Sequence, residues 1–269
     1  MVIDAEVHFW KYGKATAAPL IRENKVLQED YLPSDIALNL RRNEVAACVA
    51  VSAEATEVET RFLAELALTH PVISGVVGWT DLNEAMAPEK IQELSAYTAI
   101  RGFKLSGDAD FAKLHAVTEA LLPFGYSLDV ELLPATNISG LNSLIRHFPD
   151  QAFVLQNCGS PDAKGKPANS WQEQIHLLAK NKNLYCKVSG LFTAANWKSW
   201  KPGDFYPFLD LLFKSFGPDR LLYASDWPFL LLSGAYVQWK SLLEKYTEHL
   251  SEEQHENFFG ENARRVYRL

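Results

Sequence analysis

The chain has 269 residues, 48% of them hydrophobic, and a formal net charge of −7. That length and apolar content suit one closed α/β barrel spanning residues 1–269, with enough side chains for a sizeable core. The acidic balance argues against nucleic acid or an anionic membrane surface as partner, since both would repel it.

In chain order, eight short runs rich in Val, Ile, Leu and aromatics read as strands: Val2–Val7, Val45–Val51, Val72–Trp79, Ile100–Leu105, Ser127–Glu131, Ala152–Gln156, Leu184–Val188 and Arg220–Ala224. Amphipathic stretches alternate with them and predict helices over Asp35–Arg42, Ala55–Thr69, Pro88–Tyr97, Phe111–Leu122, Ile138–Phe148, Trp171–Lys180, Phe205–Phe216, Ala235–Tyr246 and Glu252–Phe259. The alternation predicts a (β/α)₈ barrel. Its rival, an open doubly wound sheet, loses support because no Gly-x-Gly-x-x-Gly follows the first strand. The long connections Trp10–Pro33, Cys158–Ser170 and Leu191–Asp204 all follow strand ends, where active-site loops of a barrel belong.

Cys48, Cys158 and Cys186 are sparse, odd in number and outside any Cys-x-x-Cys pair, so neither a disulfide framework nor a structural zinc site is expected. The opening lacks a basic segment followed by a long apolar run, so no secretion signal is expected there and cytoplasm is the default. Leu222–Ala235 is apolar but short and interrupted by Asp226 and Pro228, which argues against a membrane span. A homo-oligomer is left open.

The polar residues at strand ends carry the functional signal. Glu6 and His8 alternate on the first strand and share a face. Asp226 follows the last strand, which neighbours the first in a closed barrel. One imidazole and two carboxylates make a set for Zn²⁺ or Mn²⁺; the plainer reading is a hydrogen-bonded pair of Glu6 and His8 at the barrel mouth. Arg101 and Lys104 lie on the fourth strand, Asp129 and Glu131 on the fifth, Gln156 and Asn157 at the sixth, and Lys187 on the seventh, followed by Ser189. Lys187 reads either as a salt bridge to Asp129 or Glu131 or as a cation for an anionic substrate or developing oxyanion. Trp10 and Trp227 are candidates to line an apolar or sugar-stacking pocket, although tryptophan is also a common core residue. The other six histidines fall in or beside helices and read as surface residues. No Ser-His-Asp triad or Gly-x-Ser-x-Gly elbow is present.

Four ordered motifs then carry a resemblance. The opening Val-Ile-Asp-Ala-Glu-Val-His-Phe-Trp resembles the Asp-x-His-x-His-Phe-Trp opening of the amidohydrolase-2 family. The run from Val154 to Pro161 is similar to its Asp-His-x-Gly-x-Pro run, the run from Tyr185 to Leu191 to its Lys-x-Ser-Gly-Leu run, and the run from Tyr223 to Pro228 to its Gly-Ser-Asp-Trp-Pro run. Phe259–Ala263 resembles its closing Asn-Ala segment. The similarity spans the chain and looks closest to the sugar-lactone and dicarboxylate-lactone hydrolases. It implies a distorted barrel of the metal-dependent-hydrolase type that opens a small acidic or sugar-derived lactone by water attack. Asp226 would be the base and His8 would orient the water. Lys187, Lys104 and Arg101 would bind a carboxylate or stabilise the oxyanion, with Asn157, Trp10 and Trp227 also in contact with substrate. Two departures stand out: Glu6 replaces the first histidine of the family's strand-one pair, and Asn157 replaces the strand-six histidine. Glu6, His8 and Asp226 are therefore expected to hold a divalent ion weakly, with metal-free working equally open. Glu6 also motivates a second reading, metal-assisted decarboxylation of an aromatic or muconate-type acid. The missing histidine motivates a third, an inactive barrel that binds a small acid.

Overall fold

The computed structural model describes residues 1–13 and 18–269. Eight strands form one parallel sheet in sequence order: β1 Val2–Val7, β2 Val45–Val51, β3 Ile73–Gly78, β4 Ile100–Ser106, β5 Ser127–Glu131, β6 Phe153–Leu155, β7 Leu184–Val188 and β8 Leu221–Tyr223. Each matches a predicted strand to within two residues at either end. The barrel closes just beyond β8. Val7 and Trp227 form a parallel bridge, His8 N donates to Trp227 O at 2.7 Å, and Asp226 N donates to Glu6 O at 3.0 Å. The fold is thus the nearly closed, distorted (β/α)₈ barrel that the motifs implied.

Helices Pro33–Arg42, Glu57–Thr69, Ala87–Leu94, His115–Leu121, Ile138–His147, Asn169–Leu178, Pro202–Phe216 and Tyr236–Thr247 ring the sheet. Their starts follow capping chemistry. Thr56 Oγ1 accepts from Glu59 N and Asn137 Oδ1 from Gly140 N, while Pro33 and Pro202 occupy first helical positions. Apolar stripes such as Ile36 with Leu40, and Phe205 with Phe208 and Leu212, are buried against the outer faces of the strands. Each fully buried side chain of this size contributes about 1.5–3 kcal/mol. A second core fills the barrel with Ile3, Ala5, Val49, Val77, Val154 and Leu222. The C-terminal helix Asn262–Tyr267 packs Ala263, Val266 and Tyr267 against this inner cluster. Among the described residues, no helix is long and apolar enough to cross a membrane.

One irregularity aims the polar residues. Between Asp4 and Val7, β1 spends one residue more than its partner, since Asp4 pairs with Cys48 but Val7 with Ala50. Such a bulge reverses the alternation of faces. Asp4 therefore points to the outer layer, where Tyr236 Oη donates to it at 2.8 Å, while Glu6 and His8 point into the barrel mouth.

Candidate active site

A cavity of about 540 Å³ opens among the loops that follow the strands. Glu6 from β1, His8 just after it, Lys104 from β4, Glu131 from β5 and Gln156 and Asn157 after β6 line it. Thr193 and Asp226, from the loops after β7 and β8, complete its polar wall, and Phe229 its apolar one. The predicted long loop after β1 supplies Ala18, Pro19 and Leu20, and the loop after β2 supplies Glu54. Glu54 ties these two loops together, because its carboxylate oxygens accept from Ala18 N at 3.0 and 3.1 Å.

His8 Nδ1 lies 2.7 Å from Val51 O. A carbonyl only accepts, so this nitrogen carries the hydrogen and Nε2 is the working atom. Nε2 faces Asp226 Oδ1 at 3.4 Å, and Thr193 Oγ1 donates to Oδ2 at 2.7 Å. Burial pushes the Asp226 carboxyl above the usual carboxylate range, Glu6 adds to that, and His8 and Thr193 oppose it. Asp226 also has φ +61°, a left-handed conformation costly for a non-glycine residue. The backbone bonds Asp226 N to Glu6 O and Leu230 N to Asp226 O hold it there.

Beneath the cavity runs a buried ionic chain. Lys187 is fully buried, with Nζ 2.8 Å from Asp129 Oδ2 and 3.7 Å from Glu6 Oε1. Ser127 Oγ and Tyr267 Oη also donate to Asp129, at 2.7 and 2.8 Å. Burial works to raise the Glu6 carboxyl, but the Lys187 ammonium, with His8, outweighs it and holds Glu6 below its ordinary range. Burial likewise works against the charge on Lys187, and Asp129 and Glu6 overcome it. Of the two readings of Lys187, the geometry places the salt bridge, with Asp129 rather than Glu131. Lys187 does not line the cavity.

Other predicted contacts separate in the same way. Arg101 sits at the start of β4, at the far end of the barrel, where its Nη1 bonds Ile100 O and Thr98 O and its stem lies beside Leu269. Sequence position on a strand did not reveal which end the residue faced. Trp227 is 2% exposed and packs on Phe9 and Tyr31. Trp10 gives its ring N–H to Glu29 O at 3.0 Å and lines a neighbouring cleft instead. Neither tryptophan lines the cavity at His8. Asn157 does, at φ +49°, and Gly190 opposite it leaves no room for a Cβ, which would come within 2.7 Å of Asn157. Ser189 and Thr193, which orient Glu6 and Asp226, were not singled out as site residues from sequence. Ser189 follows the Lys187 strand directly, which was the available signal, while Thr193 lies in the short helix Leu191–Ala194 beyond it. Burial raises all three cysteine thiols, so none is an activated nucleophile.

The donor set does not fit a divalent ion. Glu6 Oε2 accepts from Ser189 Oγ at 2.6 Å, and its other oxygen faces an ammonium. His8 Nε2 and Asp226 Oδ1 are the two donors set face to face. Among the described residues, no group of three or more His, Cys, Asp or Glu side chains is placed to hold a metal.

Residues 3–269 match the amidohydrolase family model. The chain belongs to the amidohydrolase family. L-Fucono-1,5-lactonase from Burkholderia multivorans is 32% identical over 288 residues, covering 99% of this chain and 96% of its own. L-Fucono-1,5-lactonase from Burkholderia ambifaria is 27% identical over 281 residues, covering 99% and 95%. A crystal structure of an amidohydrolase from Burkholderia multivorans with bound zinc superposes with a TM-score of 0.90 at 30% identity, over 100% of this chain and 99% of that one. These relatives place this amidohydrolase in the lactonase-like branch, and membership of a catalytic family supports enzymatic activity on a small molecule. The zinc belongs to that related structure; in this amidohydrolase Glu6 Oε2 accepts from Ser189 Oγ and Oε1 lies 3.7 Å from Lys187 Nζ.

Proposed function

We propose that this amidohydrolase opens a small lactone by metal-independent attack of water on the ring carbonyl. The observation that carries the reading is the pair His8 Nε2 and Asp226 Oδ1, 3.4 Å apart in the cavity wall. A water accepted by this pair gives up a proton to it as the oxygen attacks the carbonyl carbon. The tetrahedral intermediate then breaks its ring C–O bond, and the same proton passes to the leaving ring oxygen. Lactone and water become one hydroxy acid, with no proton left over. General-base assistance of this kind is worth about 10²–10⁴ in rate.

Lys104 polarises the carbonyl. Its Nζ donates to Ser52 O at 3.0 Å, which fixes the ammonium at the cavity wall with further N–H groups available. Lys187 acts from below by keeping Glu6 ionised, and Glu6 in turn opposes ionisation of Asp226. The decarboxylase reading rests on Glu6 as a metal ligand, and the contacts of Glu6 with Ser189 and Lys187 favour the lactone reading over it. The test is a panel of lactones and hydroxybenzoates assayed in parallel for acid release and for CO₂. Ring opening without CO₂ supports the proposal. CO₂ release, or binding without turnover of any lactone, overturns it.

A further inference from the structure

We propose that Asn157 orients the attacking water, accepting its second hydrogen on a side-chain oxygen turned toward the cavity. The inference rests on the lactone reading and adds a residue to its water-activating step.

The proton on Ser189 decides which way the Asn157 amide is turned. Ser189 Oγ lies 2.6 Å from Glu6 Oε2 and 3.1 Å from the side-chain amide of Asn157. A hydroxyl has one hydrogen to give. Glu6 is a carboxylate set opposite the Lys187 ammonium, and a carboxylate only accepts, so the hydrogen goes to Glu6. The shorter contact has the length of a charge-assisted O–H···O⁻ bond, and the longer one that of an ordinary N–H···O bond. Asn157 therefore donates to Ser189 through its amide nitrogen, and its amide oxygen takes the outer position. Among the described residues, nothing bonds that outer position. Ser189 is fully buried on one side of Asn157, and a Cβ at Gly190 would come within 2.7 Å of its side chain. The side left open to the amide oxygen is the cavity that Asn157 lines.

Water attack needs an acceptor of this kind. The water carries two hydrogens, and the pair His8 Nε2 and Asp226 Oδ1 takes one of them. An acceptor for the other fixes the lone pair on the carbonyl carbon. Asn157 lines the same cavity as His8 and Asp226. It is also tied to their frame, since Ser189 joins it to Glu6, whose backbone O accepts from Asp226 N at 3.0 Å. A neutral amide oxygen accepts a hydrogen bond without removing the proton, so it orients the water and leaves the base unrivalled. The opposite amide orientation would offer an N–H, which binds the lone pair that has to attack.

Methanol separates this role from a structural one. It brings one O–H hydrogen for the base and a methyl group where water has its second hydrogen. Methanol and lactone give a hydroxy methyl ester, water and lactone a hydroxy acid, and the two products are counted together. Asn157→Gly removes the amide and suits the left-handed backbone at φ +49°. On the best-opened lactone of the panel, its kcat for hydrolysis should fall about tenfold with KM within about twofold of the parent. At a fixed methanol content its ratio of ester to acid should rise about tenfold, because hydrolysis alone loses an orienting bond. Ser189→Ala unpins the amide, guards against misfolding of the first variant, and should raise the same ratio by a smaller factor. Loss of structure alone would lower ester and acid alike. A parental ratio in a folded Asn157→Gly, or in Ser189→Ala if the glycine variant does not fold, overturns the inference and leaves the lactone reading standing. If the parent opens no lactone, the lactone reading falls and this inference with it.

Discussion

His8 and Asp226 face each other across the seam that closes the barrel, Nε2 to Oδ1 at 3.4 Å. The backbone bonds of the seam, His8 N to Trp227 O and Asp226 N to Glu6 O, are the ones that position the two side chains. The contacts that close the barrel are thus the ones that bring the proposed acid–base pair together. Val51 O accepts from Nδ1–H, so Nε2 carries the lone pair that faces Asp226.

The buried ionic chain makes a stability prediction. Lys187→Met leaves Asp129 and Glu6 as buried carboxylates without their cation. Breaking a buried pair from one side costs about 3–5 kcal/mol. Urea unfolding should register that loss, and Asp129→Asn added to Lys187→Met should restore part of it. A single variant as stable as the parent would contradict the ionic account.

Much of this frame was legible in the sequence, for identifiable reasons. Strands carry their own signal, so β1, β2, β5 and β7 were predicted with the boundaries found. Period two placed Glu6 and His8 on one face, and proximity of the first and last strands brought in Asp226. The bulge after Asp4 was not legible, since it depends on register with β2 rather than on composition. Nor was the level of each lysine or arginine along the barrel axis, which separates Lys104 at the cavity from Lys187 below it and Arg101 at the far end. Trp10 and Trp227 were ambiguous by chemistry; Trp227 packs in the core, and Trp10 is buried beside a neighbouring cleft.

Glu59 makes a pH prediction. Its carboxylate accepts from Ala53 N at 3.2 Å and Glu54 N at 2.7 Å, and burial raises its pKa from 4.5 to about 7. A raised acid keeps its proton in the folded chain after the unfolded chain has lost it. Its contribution is therefore complete below the unfolded value and declines as pH rises toward the folded one. Glu59→Gln removes that decline. The variant should gain on the parent by about 3 kcal/mol between about pH 4 and pH 8, before any constant loss of the second acceptor. Denaturant unfolding at both pH values checks this, and a difference that does not change with pH would contradict it.

Metal removal gives a third test. With Glu6 engaged by Ser189 and Lys187, chelation followed by dialysis should leave the rate of ring opening unchanged. Asn157 lines the cavity at a left-handed φ that histidine tolerates. Asn157→His therefore supplies an added imidazole and should tighten zinc binding about tenfold. Near-stoichiometric metal in the parent, with activity lost on chelation, would contradict the metal-independent mechanism.

The most direct measurement is turnover of a lactone by Asp226→Asn after chelation. Asparagine suits the left-handed backbone at this position and can still accept from Thr193, so the fold should be kept, as a circular-dichroism melt will report. It cannot take a proton from water. The account predicts a fall in kcat of about a hundredfold or more, with a melt like that of the parent. A folded variant with near-parental turnover would contradict the assignment of the acid–base pair to His8 and Asp226.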